Sequence, residues 1–387
     1  MVTKRSIRDF IYLLGFSMGL VGSFILTTTL SINNSYNLIA HMLISLGAVI
    51  AFFSLLFIEE NISIDIFIFC LLLLFLCFIN KSIIGNNTLF LTMVYVISSL
   101  NISFEKILRN YTFITLLLLL LTILLALSGK IMNLEYFRNG KLYIALGGVY
   151  TTNMASHFFY IILAYVILKK FNLNKFSILI LLLISFGIYT IFGAKLDSIL
   201  VLIIAIISFT RVSFFNYFKK IHGIYLSLLA SIIIIASLLT TYYFSYTNKV
   251  SLLLNEFFNN RLSQGRLAFS KYPVRLMGQH IYMQGFGGVN GMTKNFLEYF
   301  YIDNSFLQIL LINGTLIFVL ICVILIVKIY NFQNEEKYIL TLMFLLVVIS
   351  SIIDENLLSM SYNFSIFAFL TTTANYISSK HKNKIHD

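Results

Sequence analysis

The chain has 387 residues, 59% of them apolar and 11% charged. A soluble domain carries about 25% charged residues, so the composition excludes an ordinary soluble enzyme. The formal charge of +12 is read below as membrane anchoring, not as a nucleic-acid footprint.

A membrane β-barrel would show alternating segments of about ten residues. Here the apolar runs are continuous and close to the roughly twenty residues that a spanning helix needs. The fold class expected is an all-α integral membrane protein, a single polytopic domain over 1–387. Twelve spans are expected at 10–30, 37–58, 62–79, 83–100, 111–128, 142–168, 176–193, 195–210, 221–244, 304–327, 338–353 and 362–379. The first has no small-residue cleavage site behind a short apolar core and is read as retained. Cys70, Cys77 and Cys322 lie inside apolar runs and suggest neither a disulfide framework nor a metal site. Abundant Ile, Asn, Lys, Phe and Tyr suggest an AT-rich, bacterial coding sequence.

Orientation follows from the basic residues of short loops. Counting alternate loops from the N-terminus, sixteen of the 27 basic residues fall on one side, among them Lys4, Arg5, Arg8, Lys106, Arg109, Lys169, Lys170, Arg211, Lys380, Lys382 and Lys384. Both termini are therefore expected in the cytoplasm. The long polar loop at 245–303, between spans nine and ten, then faces outward. It contains the only proline, Pro273, and is too aromatic and too glycine-punctuated for a disordered linker. Long connections of this kind are usually functional.

Two intramembrane sites stand out before the loop. Between Phe176 and Thr210 the only charges are Lys195 and Asp197. A lone Lys in the membrane core costs roughly 2.5–3.5 kcal/mol on insertion scales, so such residues are usually paired and functional. The bland alternative is a Lys snorkelling from a tight outer turn. The second site is Asn153-Met-Ala-Ser-His157. His157 lies twelve residues before Lys169, roughly 18 Å along a helix, which puts it in the outer half of the membrane. It is read as facing an outward-open cavity, the alternative being a hydrogen bond that packs two helices.

In the loop, Arg261 and Arg266 are five residues apart and would not share a face of one helix. Gly265 suggests a break, with one amphipathic helix over Ser251–Arg261 and a second starting near Ser263. Both arginines then converge on one anion, for which the planar guanidinium is suited. Gln279 and His280 are read as contacts to sugar hydroxyls. Tyr272, Tyr282, Phe286 and Tyr299–Tyr301 either stack on sugar rings or anchor the loop. The glycines of Gly285-Phe-Gly-Gly288 lack the Lys-Ser/Thr of a phosphate loop and read as a turn. Outward carboxylates are Glu135, Asp197, Glu256, Glu298, Asp303, Asp354 and Glu355. Asp303 and Asn304 are also well placed to cap the next helix.

Taken together these features resemble the Wzy-type polymerases of bacterial surface polysaccharides and their relatives, the O-antigen ligases. Gly193-Ala-Lys195 is similar to the family's Gly-Ser-Arg start of a span, with Lys in place of Arg. The stretch from Arg261 to Arg266, followed by Pro273 and Gly285-Phe-Gly, is similar to its outer loop. Asp303-Asn304 through Gly314 is similar to its closing run. Ligases often carry His where this chain has Asp303, which favours a polymerase. The resemblance implies a glycosyltransferase in the bacterial cytoplasmic membrane, without cofactor or metal. Its donor and acceptor would be undecaprenyl-pyrophosphate-linked oligosaccharides, and a chain-length regulator is a possible partner. Arg261, Arg266 and Lys195 would stabilise the leaving pyrophosphate. Asp303, then His157, then Glu355 would orient or deprotonate the acceptor hydroxyl. Asp197, Asn153, Tyr272, Arg275, Gln279 and Asn304 would bind substrate. The rival readings are a ligase, which differs in its acceptor, and a flippase or other transporter, which should show repeated halves with interrupted helices.

Overall fold

The computed structural model describes residues 4–58, 62–138, 140–285, 287 and 299–377. It is mostly helical. Among the described residues, eight helices are long and apolar enough to cross a membrane. They are α1 (Lys4–Leu26), α2 (Asn34–Phe53, extended to Phe57 by a 3-10 turn), α3 (Ile64–Ile84), α5 (Phe104–Leu127), α6 (Thr151–Leu168), α7 (Lys175–Gly187, continued to Phe192 by a π turn), α10 (Gly223–Tyr242) and α14 (Thr315–Asn334).

The remaining expected spans take other forms. The run at 83–100 is the short helix α4 (Thr88–Ser98), and that at 338–353 is α15 (Tyr338–Ser350). The run at 195–210 is α8 (Lys195–Phe209), which turns by 95° into α9 (Arg211–Phe218). Expected span ten is shifted: Ser305–Gln308 (α13) and a π turn at Ile309–Asn313 precede Gly314, and the long helix begins only at Thr315. The last run is not a helix. Beyond Glu355 the backbone forms 3-10 turns at Asn356–Leu358, Phe364–Phe369 and Ala374–Tyr376. This stretch is still deeply buried, with Phe364, Ile366, Phe367 and Ala368 at 0% exposure. Continuous apolarity reports burial, and here burial comes from surrounding protein instead of from a lipid-facing helix.

α1 and α2 pack closely because small residues face each other. A methyl on Gly15 would lie 2.5 Å from the Gly47 carbonyl, and one on Gly22 would lie 2.5 Å from that of Ala40. Such small-residue contacts are how membrane helices gain close packing. α6 is the central helix: 72% of its apolar stretch is buried, against 44% or less in the other seven long helices. A hairpin, β1 (Glu135–Arg138) with β2 (Lys141–Ile144), precedes α6 where a longer span had been expected.

The ends of the bundle differ. At one end lie the start of α1, the start of α5 and the end of α6, where Lys106 pairs with Asp9 at 2.5 Å and Arg211 donates to the Lys170 carbonyl. At the other lie the hairpin, the start of α6 and the long loop. In that loop, α11 (Lys249–Phe257) and α12 (Arg261–Lys271) are separated by Asn259 and Asn260, both left-handed (φ 53° and 66°). Short polar side chains tolerate that conformation. Asn255 locks the elbow, accepting from Ser263 N at 2.9 Å and donating to Asn260 Oδ1 at 3.0 Å.

The break thus lies before Arg261 and not at Gly265, where α12 is continuous. Gly265 serves close approach instead: a methyl there would meet Thr241 Cγ2 at 2.3 Å on α10. Beyond α12 the chain is pinned where Gly278 crosses Gly314. Both have positive φ, and a methyl on Gly314 would lie 2.3 Å from Gly278 N. Asn80 of α3 closes the crossing, donating to the carbonyls of Met277 and Asn313 at 2.9 and 2.8 Å.

Candidate active site

At the loop end of the bundle is a cavity of about 730 Å³. Its walls come from places distant in sequence: the α1–α2 connection and the start of α2 (Ser31, Asn34, Asn37), the start of α6 (Asn153, Ser156), Gly285 and Gly287 of the long loop, the segment before α13 (Tyr299, Tyr301, Asp303) and the turn after α15 (Asp354, Glu355). Ser305 fixes the segment before α13 to the turn after α15. Its amide donates to Ser351 O at 3.0 Å, its hydroxyl donates to the Asp354 carbonyl and accepts from Leu357 N at 3.2 Å. Three carboxylates therefore meet on one wall.

Arg261 stands behind them. Its Nε is 3.2 Å from Asp303 Oδ2 and its Nη2 is 3.8 Å from Asp354 Oδ1. Burial opposes the charge on the guanidinium, but the two carboxylates outweigh that effect and hold its proton more firmly than usual. Asp354 keeps one buried oxygen, Oδ2, without a hydrogen-bond partner among the described residues. Glu355 is held differently. Oε1 accepts from the Tyr301 hydroxyl, and Oε2 accepts from Gln308 Nε2 at 2.7 Å. Burial pushes its carboxyl up to about 7, against the two hydrogen bonds and with the help of Asp303 and Asp354.

A narrow crevice adjoins the cavity through Thr152 and Asp354, and Lys195, Asp197 and Arg261 line it. Asp197 is 2% exposed and accepts from Ser156 Oγ at 3.4 Å. Among the described residues no carboxylate lies within ion-pair distance of Lys195. The same holds for Arg138 of the hairpin, which donates to Thr151 Oγ1 and the Phe192 carbonyl and lies over the rings of Tyr143 and Tyr150.

Of the residues singled out in the sequence, Asn153, Gly285, Tyr299, Tyr301, Asp303, Asp354 and Glu355 line the cavity, and Arg261, Lys195 and Asp197 lie at its edge. Asn153 donates to the Tyr362 hydroxyl at 2.8 Å. The others are elsewhere. Arg266 does not converge with Arg261: α12 is unbroken, so the two diverge, and Arg266 is exposed, donating to the Tyr242 carbonyl at 2.7 Å. His157 is fully buried between the rings of Phe24 (4.3 Å) and Tyr362 (4.2 Å). Thr27 Oγ1 donates to the Phe24 carbonyl, so its oxygen is free to accept from His157 Nε2 at 2.8 Å. The packing alternative holds there. Gln279 is buried and donates to the carbonyls of Pro273 and Leu311, which removes it as a sugar contact. Asn304 caps α13, accepting from Leu307 N at 3.0 Å. Tyr272 packs against Phe300 at 5.7 Å, while Arg275 and His280 are exposed, away from the cavity lining. Phe286, Gly288, Glu298 and the lysines at 380, 382 and 384 lie outside the described residues.

Sequence reasoning passed over Ser305, Gln308 and Arg138, and it read Tyr301 only as a stacking or anchoring ring, not as a hydrogen-bond donor to Glu355. A polar pair bracketing the start of a span, Tyr301 and Gln308, was a visible signal for Gln308. Comparisons with protein-family models, curated proteins and solved structures found no match.

Proposed function

We propose that this protein is a membrane glycosyltransferase that joins lipid-linked oligosaccharides into a polymer, at the membrane face on which the long loop lies. One observation carries the reading: a cavity large enough for sugar rings, whose wall combines three carboxylates with amide and hydroxyl groups, at one end of an apolar helix bundle. Carboxylates and amides are the groups that hold sugar hydroxyls and accept their protons. The cavity's location suits a substrate with a lipid tail in the membrane and a glycan above it.

The charges divide the work. Arg261 is already compensated by Asp303 and Asp354, so its part is to hold those carboxylates in register. A pyrophosphate leaving group needs positive charge that is not already paired. Lys195, already expected in that role, meets the need, and Arg138 joins it in place of Arg261 and Arg266. The host implied by the family resemblance is bacterial, with undecaprenyl pyrophosphate as the lipid carrier.

The test is the surface polysaccharide of cells lacking the gene, with and without the gene restored, resolved by length. Loss of the ladder with single repeats still displayed supports the proposal. Full-length polymer stranded on the carrier would mean a ligase, and repeats trapped in the cytoplasm a flippase.

A further inference from the structure

Resting on that reading, we infer that Glu355 is the group that receives the acceptor hydroxyl's proton, with Tyr301 and Gln308 as its positioning residues. Asp303, the first choice from sequence, is committed elsewhere. It and Asp354 share the Arg261 guanidinium at 3.2 and 3.8 Å, so each has an oxygen engaged by a fixed cation. Glu355 has no cation within ion-pair distance among the described residues.

Its geometry suits the role. Each oxygen accepts one hydrogen bond from a neutral donor, Tyr301 on one and Gln308 on the other, so each retains a lone pair. The two donors fix the plane of the carboxyl, and the group lines the cavity. The titratable groups facing it are Tyr301, Asp303, Asp354, Tyr299 and Tyr362. Burial raises its proton affinity, none of these groups brings positive charge to offset that, and a value near neutrality follows. A base poised there is efficient at physiological pH.

The step balances. The hydroxyl proton moves to Glu355. The oxygen's electron pair forms the bond to the anomeric carbon. The anomeric carbon–oxygen bond to phosphate breaks, and its electron pair leaves with the lipid pyrophosphate. The proton on Glu355 is then released to water in the cavity.

The experiment uses the full-length protein in liposomes. Its probe is the pool of lipid-linked saccharides extracted from cells lacking the gene, and polymer formed per minute is followed between pH 5.5 and 8.5, a window of about 1.5 units on each side of neutrality. The wild-type rate should rise with pH and level off above about 7, as Glu355 ionises. Glu355→Gln should lose about 10²–10⁴-fold, the usual weight of a general base. Tyr301→Phe removes a donor that favours the carboxylate, so its inflection should move to higher pH. That shift is independent of whether Glu355→Gln folds, and a purely structural role would not produce it. A folded Glu355→Gln protein with the wild-type rate, or an unmoved inflection in Tyr301→Phe, overturns the inference while leaving the proposed function standing. A wild-type protein that forms no polymer from this pool overturns both.

Discussion

Arg261 carries one positive charge between two carboxylates, and the three side chains are 16%, 25% and 8% exposed for Arg261, Asp303 and Asp354. Such a group behaves as a unit. Removing one partner of a buried pair costs about 3–5 kcal/mol, because the remaining charge is left uncompensated. Arg261→Ala should therefore lower thermal stability in detergent strongly, and adding Asp354→Asn should restore part of the loss. A double-mutant cycle measures this coupling; purely additive losses would show that the ion pair is not formed. Arg266 makes the contrast. It lies exposed against Tyr242, so Arg266→Ala should leave polymer formation within about twofold, the ±0.5 kcal/mol scale of exposed substitutions. A large loss in that assay would put Arg266 back beside the reacting groups.

At the scale of elements, the cavity exists because irregular pieces are held between regular ones. The crossing of Gly278 and Gly314 fixes the long loop to the start of α14. Gly314 has φ 92° and ψ 168°, a conformation essentially confined to glycine, and strain of this kind costs on the order of 1–3 kcal/mol. Gly314→Ala adds a clash with Gly278 N at 2.3 Å. It should lower the melting temperature and make the loop cleavable by protease in intact vesicles. Unchanged proteolysis would mean that the loop is held by other contacts.

The sequence made the long helices legible, because length and apolarity together determine a lipid-facing span. It also pointed to Arg261, Asp303 and Glu355, since charges beside a long loop are few. It did not reveal which of them pair, because Arg261 and Asp354 come from separate stretches of the chain that no local pattern connects. Gln279 was read as a sugar contact, and Asn304 both as a cap and as a substrate ligand. Polar side chains in or beside a loop were taken as facing a ligand, whereas Gln279 satisfies the Pro273 and Leu311 carbonyls and Asn304 the Leu307 amide, as buried polar groups generally must.

The whole molecule presents one end with Lys106, Lys170 and Arg211 and another with the loop and cavity. The basic-residue rule predicts that the first end faces the cytoplasm. The three native cysteines are 7%, 1% and 8% exposed, so they should give little background with a membrane-impermeant maleimide. Thr247→Cys should then label in intact cells and Asn216→Cys only after permeabilisation; the opposite pattern would invert the orientation.

The stretch beyond Glu355 has a consequence for how the molecule is made. It runs from Asp354 beside Arg261 to Asn375, which donates to Glu105 at 2.7 Å at the far end of the bundle. Along the way its backbone leans on its neighbours: Tyr111 donates to the Tyr362 carbonyl at 2.5 Å, and the amides of Asn101 and Phe104 donate to Leu370 and Thr372. Non-helical backbone at membrane depth is tolerated only when protein encloses it. A segment of this kind gains nothing by partitioning into lipid alone. It has to enter a slot already built by α4, α5, α6 and α15, which makes it the closing piece of assembly. Because Asp354 and Glu355 immediately precede that piece, their wall of the cavity should take its shape only once the piece has docked.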